Sequence, residues 1–378
     1  MSEFPPPALV DNPEALRALA ATLRGVPRAA VDTESNSMHA YRERVCLLQV
    51  SFPDVDCLID PLALPDLSLL AAFLEDPARE KVFHAAEYDL LCLRRDFGFR
   101  IRGLFDTHAA VRTLGVRECG LDSVLNAEFG VRLDKRMQRA DWGKRPLPDR
   151  QLEYARFDTH HLLPLRDRLA ERIDAAGRTE ELREEFLRLE GIPDLAPEEG
   201  ESDPFWRIRG VQDLSPAQRA VLRSLFEWRE RQAEQMNRPP FHILGETEMA
   251  RIAAVHPRSI EELRNQAGLG SRAINRWGRE ILRAVAEGGR RKPPVWIRKK
   301  GMDEKAQCRL ENLRKWRKNR AAVRGVESDV IISRDTMFRI ARTAPDSLLA
   351  LGGIPGLGPW RLSAYGQEIL AVIHPGRI

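Results

Sequence analysis

At 378 residues the chain exceeds the roughly 100–200 residues of a typical domain, so two or three domains are expected, each able to bury its own core. Its 43% hydrophobic and 31% charged residues describe an ordinary soluble protein; no run nears roughly eighteen consecutive apolar residues, and Pro5-Pro6-Pro7 stands where a leader peptide would place a basic and then an apolar segment. A membrane-spanning or exported protein is thereby excluded as an expectation, and the cytoplasm is the expected compartment.

Net charge is only +4, but residues 291–320 hold twelve Lys or Arg against three Asp or Glu, leaving that window at +9 and the rest at −5. Such a stripe suits a polyanion such as nucleic acid, or equally a solvated linker and helix face. The five cysteines are odd in number, widely spaced and never in a Cys-x-x-Cys pair, so they read as reduced.

In chain order, residues 12–24 predict a capped amphipathic helix, with Asn12 as N-cap, Pro13 in its first turn, and Leu16, Leu19 and Leu23 on one face. The apolar run 28–34 then reads as a buried strand ending in Asp32 and Glu34. A strand turns alternate side chains to one face, so both carboxylates point the same way and repel unless a cation lies between them. Residues 45–51 and 55–60 predict two more strands around a tight turn at 52–54, and short connections favour an antiparallel meander. Farther on, helical patterns alternate with short apolar runs such as 81–83, the signature of an α/β domain.

Residues 84–93 predict a buried helix that places Asp89 among Leu90, Leu91 and Leu93; a carboxylate there needs a partner, because burying an unpaired charge is costly. Another helix is expected over 122–129, followed by a long polar loop over 134–150. In that loop Trp142, Lys144 and Arg145 could hold a phosphate and stack a base, or Trp142 could anchor the loop to the body. The pattern over 149–169 predicts one helix in which Tyr154 and Asp158 lie one turn apart on one face, with Leu152, Leu162, Leu163 and Leu165 toward the core.

Asp32, Glu34, Asp89 and Asp158 with Tyr154 supply what a two-metal phosphodiesterase requires. Two Mg²⁺ or Mn²⁺ ions about 3.5–4 Å apart can hold a scissile phosphate, generate the nucleophile and stabilise the leaving oxygen. Hard cations take oxygen ligands, and no His or Cys cluster competes. Tyr154, with an ordinary pKa near 10, is better suited to positioning the attacking water than to deprotonating it.

Residues 31–34, 84–93 and 154–158 resemble the three motifs of the DEDDy branch of 3′→5′ exonucleases, and Asp141-Trp142 with Arg145-Pro146-Leu147 narrow the similarity to the ribonuclease D family. The resemblance covers residues 28–170. It implies a ribonuclease H-like α/β exonuclease domain, a mixed sheet flanked by helices, with Asp32, Glu34, Asp89 and Asp158 as metal ligands and Tyr154 as the fifth catalytic residue. Ala85 and Arg156 depart from the usual residues of the pattern without removing a ligand.

The acidic, Pro-rich stretch 193–204 reads as a linker. Beyond it the chain repeats without a gap at an interval of 88 residues: Trp228-Arg229 recurs as Trp316-Arg317, Gly268-Leu269-Gly270 as Gly356-Leu357-Gly358, and Glu280-Ile281-Leu282 as Glu368-Ile369-Leu370. Each unit reads as a small helical bundle and resembles the HRDC domain. The Gly-Leu-Gly turns either present backbone N–H groups to phosphate at a helix start or simply join two helices tightly. The expected organisation is an exonuclease domain over 1–192, a linker over 193–210, and all-α HRDC domains over 211–290 and 300–378.

The resemblance implies a 3′→5′ exoribonuclease releasing 5′-monophosphates, with tRNA precursors bearing 3′ extensions as substrate and RNA contact near 291–320. A DNA exonuclease in repair and an inactive nucleic-acid-binding adaptor are the alternatives, the latter leaving the four carboxylates unexplained.

Overall fold

The structure, a computed structural model, describes residues 5–192, 203–295 and 302–375. The chain divides into two compact units, the first comprising Met1–Ser35, Val45–Leu195 and Lys300–Ile378, the second Asn36–Arg44 and Ala196–Lys299. Most of the expected linker, residues 193–202, and part of the basic window, 296–301, lie outside the described residues.

A six-stranded sheet in the order β1-β4-β3-β2-β5-β6 forms the frame of the first unit: β1 Ala8–Val10, β2 Arg28–Ser35, β3 Val45–Phe52, β4 Val55–Ile59, β5 Glu80–Phe83 and β6 Leu104–Asp106. The expected antiparallel meander is β2-β3-β4, and the other pairings are parallel, which makes the sheet mixed. Every residue of β3 is buried, as its nearly unbroken apolar run requires of a strand covered on both faces.

Helices α1 Pro13–Leu23, α2 Ala71–Leu74 and α3 Glu87–Phe97 precede α4 Thr107–Thr113, α5 Leu121–Phe129, α6 Asp149–His160, α7 Leu162–Ala175 and α8 Thr179–Glu190. One apolar cluster joins α1 and α3 to the sheet, and another joins Ala30, Val82 and Phe105 to α4, α5 and α7. Asn12 caps α1 by accepting the Ala15 N–H at 3.0 Å.

Two elements differ from the sequence pattern. The helix carrying Asp89 begins only at Glu87, because Ala85 takes a left-handed φ of 65° and turns the chain out of β5. The helix expected over 149–169 breaks at His161 into α6 and α7. Pro164 explains the break: without an N–H it cannot bond back to residue 160, but it is tolerated in the first turn of a new helix.

In the second unit, α9 Pro216–Gln235, α10 Glu246–Val255, α11 Ile260–Asn265 and α12 Ser271–Gly288 build a helical bundle around Trp228, Met249, Leu263 and Ile281. A Ser215–Gln218 capping box starts α9. The second repeat, α13 Glu304–Arg324, α14 Ser328–Ile331, α15 Arg334–Thr343, α16 Leu348–Gly352 and α17 Pro359–Ile373, has a matching core and belongs to the first unit.

That second repeat is fastened to α8 by ion pairs. Arg324 binds Glu181 at 2.6 Å and Arg361 binds Glu184 at 2.8 Å. Glu181 and Arg361 are 1% and 5% exposed, so these pairs are largely withdrawn from water.

Candidate active site

The five residues singled out from the sequence come from three elements. Asp32 and Glu34 lie on β2 opposite Gln49 and Leu47 of β3, and pairing becomes irregular immediately after Glu34. Asp89 lies in the first turn of α3, and Tyr154 and Asp158 lie on α6, which packs on β2 and β3. The Thr33 hydroxyl donates to the Asp89 carboxylate and ties β2 to α3. Asp106 fixes the turn ahead of α3, accepting the Ala85 and Ala86 N–H groups at 3.0 and 2.9 Å while it caps α4. Sequence reasoning passed over Asp106, although an acid directly ahead of a helical pattern is the expected N-cap signal.

Electrostatics show that the four carboxylates share one low-dielectric site. Burial, and then the charges of Asp89, Asp158 and Glu34, hold Asp32 well above the usual carboxylate range. Glu34 is pushed up to about 9 by burial and by Asp158 and Asp89. Burial raises Asp89 to about 7 against the opposing hydrogen bond from Thr33, and Asp158 to about 8 against the one from Tyr154. The Tyr154 phenol is raised by burial and by Asp158, Glu34 and Asp32, so it keeps its proton at neutral pH.

Among the described residues none of the four carboxylates pairs with a basic side chain, and no group of three or more His, Cys, Asp or Glu is arranged to hold a metal ion. Four raised acidic side chains, three of them raised by charges within the set, that lack a counter-charge among the described residues nevertheless match the donor chemistry of a hard divalent cation.

The polar loop behaves differently from the nucleic-acid contact expected of it. Trp142 is 1% exposed, packs 5.9 Å from the Tyr154 ring and sits in a cluster with Cys46, Leu47, Leu58 and Ala155. It offers no face to a base and is the loop's anchor. Arg145 is also turned inward: it grips Asp60 at 2.5 and 2.7 Å and donates to the Cys46 and Trp142 carbonyls. Only Lys144 projects outward, 3.7 Å from Asp141. Arg156 is buried as well, donating to the Pro5 carbonyl at 2.8 Å and lying 3.9 Å from Asp56.

A cleft of about 310 Å³ opens instead beside Tyr154 and Asp158, lined in part by Arg132, Arg136, Arg150 and Phe157. These arginines were not singled out from the sequence, because scattered arginines in a polar loop carry no spacing signal. Gln49 was also missed: fully buried opposite Asp32, its amide finds no partner among the described residues. The signal was an amide side chain in a strand whose other polar residue is the small Ser51.

The basic window is partly consumed within the second repeat. Arg309 and Arg317 donate to the Ala341 and Ile332 carbonyls, and Arg320 pairs with Glu368.

Comparison with known proteins accords with this geometry. The 3′-5′ exonuclease family matches residues 7–174, and the HRDC domain family matches 218–285 and 307–373. The chain is 30% identical to ribonuclease D of Granulibacter bethesdensis, over 98% of this chain and 93% of that protein. The Escherichia coli RNase D crystal structure, described as an exoribonuclease involved in structured RNA processing, aligns over 98% of this chain and 99% of its own with a TM-score of 0.70 at 25% identity. The RRP6 catalytic core of Trypanosoma brucei aligns over 75% of this chain and 80% of its own, with a TM-score of 0.63 at 30% identity. The matching exonuclease family is metal-dependent.

Proposed function

Because the chain belongs to the ribonuclease D family and is a 3′→5′ exoribonuclease, we propose that Asp32, Glu34, Asp89 and Asp158 hold two divalent ions, Mg²⁺ or Mn²⁺, and that Tyr154 positions the attacking water. The observation that carries this reading is the set of four buried carboxylates, of which Asp32, Glu34 and Asp158 are each raised by the charge of others in the set, with no basic partner among the described residues. When bound, the ions supply charge neutralisation at the scissile phosphate and at the departing 3′-oxygen.

The chain's own residues then have distinct tasks. Tyr154 keeps its phenolic proton and donates to Asp158, so it serves as an orienting donor and not as the base. Thr33 holds the Asp89 carboxylate in place from β2. Arg132, Arg136 and Arg150 line the adjoining cleft, where they suit the phosphates of the 3′-terminal nucleotides, and Phe157 gives that cleft an apolar wall. Water attacks phosphorus as the bond to the 3′-oxygen breaks, releasing a nucleoside 5′-monophosphate and an RNA shortened by one residue with a free 3′-hydroxyl. Of the three loop residues singled out from the sequence, Trp142, Lys144 and Arg145, Lys144 alone is retained as an RNA contact.

For the substrate we propose tRNA precursors with 3′ extensions, read in the cytoplasm; support comes from the ribonuclease D relatives and from the structured-RNA role of the Escherichia coli protein. Among the described residues no helix is long and apolar enough to cross a membrane. We further propose domain bounds of 1–192, 211–290 and 300–378, with 193–210 as linker. The test is a tRNA with a short 3′ extension, labelled at its 5′ end, incubated with Mg²⁺, Mn²⁺ or EDTA. Stepwise shortening with 5′-monophosphate products and none in EDTA is expected; cleavage in EDTA, or internal cuts, would sink the reading.

A further inference from the structure

The two helical repeats share a scaffold but differ at one place, the N-terminus of their last long helix. In the second repeat this is the start of α17, where the Trp360 and Arg361 N–H groups both donate to one oxygen of Glu184, at 2.7 and 3.2 Å. The other Glu184 oxygen accepts from the Arg361 guanidinium at 2.8 Å. This helix start therefore already holds an anion, a carboxylate supplied by α8.

In the first repeat the same place is the start of α12, whose N-cap Gly270 gives no side-chain cap. Residues 272 and 273 correspond to 360 and 361 in the 88-residue register. Arg272 and Ala273 both line a cleft of about 520 Å³, together with Arg238, His242, Arg276 and Trp277 and, among the described residues, no acidic residue. None of these three arginines forms an ion pair among the described residues; Arg276 lies 4.9 Å over the Trp277 ring and reaches Met236 Sδ at 3.7 Å. In the second repeat the positions of Arg238, His242 and Arg276 are taken by Val326, Val330 and Ala364. These three cationic side chains thus occur in the copy whose helix start is not filled by a carboxylate, whereas Arg361 of the other copy is paired with Glu184.

We infer that this cleft of the first repeat binds phosphodiesters of the RNA, whereas the equivalent place in the second repeat has become a docking joint for α8. Where one guanidinium suffices for Glu184, three stand around a cavity large enough for a nucleotide. Two uncapped N–H groups at the start of an 18-residue helix add the partial positive charge that favours phosphate. Planar guanidiniums suit bidentate phosphate contact, and the half-buried indole gives the cleft an apolar wall. The inference rests on the exoribonuclease reading and deepens it: it names which repeat meets RNA, and by which residues.

The test uses the full-length protein and a fluorescent 20-nucleotide oligoadenylate, with binding followed by anisotropy in EDTA so that no cleavage intervenes. The double charge reversal Arg272→Glu/Arg276→Glu is expected to weaken binding at least tenfold. It should also flatten the dependence of log K on log salt by roughly 1.4, since each single-strand phosphate contact contributes roughly 0.7. Both side chains are exposed, and circular dichroism checks the fold; Arg238→Ala, a single neutral change, gives a second reading of the same cleft. The control is Arg314→Glu/Lys318→Glu, an equal charge change on an exposed face of α13, expected to shift affinity less than threefold. An equal loss in the control, or no loss in either cleft variant, overturns the inference. So does displacement of the RNA by polyglutamate at equal charge concentration, which would make the cleft a site for acidic protein segments. Failure of the wild type to shorten RNA with Mg²⁺ would instead refute the exoribonuclease reading.

Discussion

Replacing Glu34 by Gln should stabilise the metal-free protein while abolishing its activity, a combination that a merely structural glutamate would not give. In the folded chain the Glu34 carboxyl is raised to about 9 from an ordinary 4.5 by burial and by the charges of Asp158 and Asp89. A group with a raised folded pKa binds its proton more tightly folded than unfolded. Stability is therefore fully present below about pH 4.5 and declines as pH rises through the window up to about 9. At pH 8 a carboxyl held at about 9 stays mostly protonated in the fold although it would be ionised in the unfolded chain, and each pH unit above 4.5 at which that proton must be taken up costs about 1.4 kcal/mol. Because Glu34 is only half-buried, solvent screening cuts this, and about 2 kcal/mol of relief is the working figure. Over 378 residues, at about 2.1 cal/mol/K of unfolding entropy per residue, that amounts to about 2–3 °C in Tm. Differential scanning fluorimetry in EDTA should show Glu34→Gln melting above wild type at pH 8, with the gap nearly closed at pH 5. Saturating Mg²⁺ should reverse the order, because a ligand at 100 times its Kd stabilises the protein that binds it by about 2.7 kcal/mol. A variant that melts at or below wild type in EDTA at pH 8 would mean that Glu34 is paired and not repelled, and the cluster would lose its rationale.

Three further outcomes are expected. Tyr154→Phe preserves the ring beside Trp142 and removes only the donor to Asp158, so kcat on a short oligoribonucleotide should fall about 10- to 100-fold with KM changed less than threefold; a KM effect alone would make Tyr154 a packing residue. Ala85→Gly relieves a left-handed φ of 65° at the entrance to α3, so urea denaturation should show a gain of up to about 1 kcal/mol after the entropy of the unfolded glycine is subtracted, and a loss would refute the strain. Glu184→Ala leaves Arg361, 5% exposed, without its principal carboxylate and uncaps two N–H groups of α17, which should cost about 3–5 kcal/mol and release α13–α17 to limited proteolysis; an unchanged digestion pattern would show that the joint does not depend on this pair.

The parts of the site that were legible in the sequence are those where one period decides the geometry. Asp32 and Glu34 alternate along a strand, Tyr154 and Asp158 lie a turn apart on a helix, and Asp89 stands among leucines; each statement follows from local spacing, and each side chain lies on the predicted kind of element. What escaped was set by contacts remote in sequence. Trp142 and Arg145 read as free surface residues because their neighbours are polar, yet the partners that bury Trp142, Cys46 and Leu58, and the Asp60 that engages Arg145 lie more than eighty positions away. The break at His161 escaped for a different reason: an apolar stripe continues across it, and only the missing N–H of Pro164 marks the new start.

The repeats carry the same lesson to the level of domains. Their shared positions are the ones the bundle needs: Trp228 packs edge-on to Trp277 at 5.9 Å and Trp316 edge-on to Tyr365 at 5.8 Å, while a Gly-Leu-Gly turn starts the last helix of each. Matching on those positions makes the copies look interchangeable and leads the eye to the basic window, where arginines are dense in sequence but several are spent on carbonyls and on Glu368. The positions that differ, 238 against 326, 242 against 330 and 276 against 364, are visible in the same register, yet they acquire meaning only once Glu184 is seen seated at the start of α17. A helix start that must accept a carboxylate from its own chain has no use for free cations around it. One that, among the described residues, keeps three unpaired arginines and no acid is still charged for an anion from outside the fold.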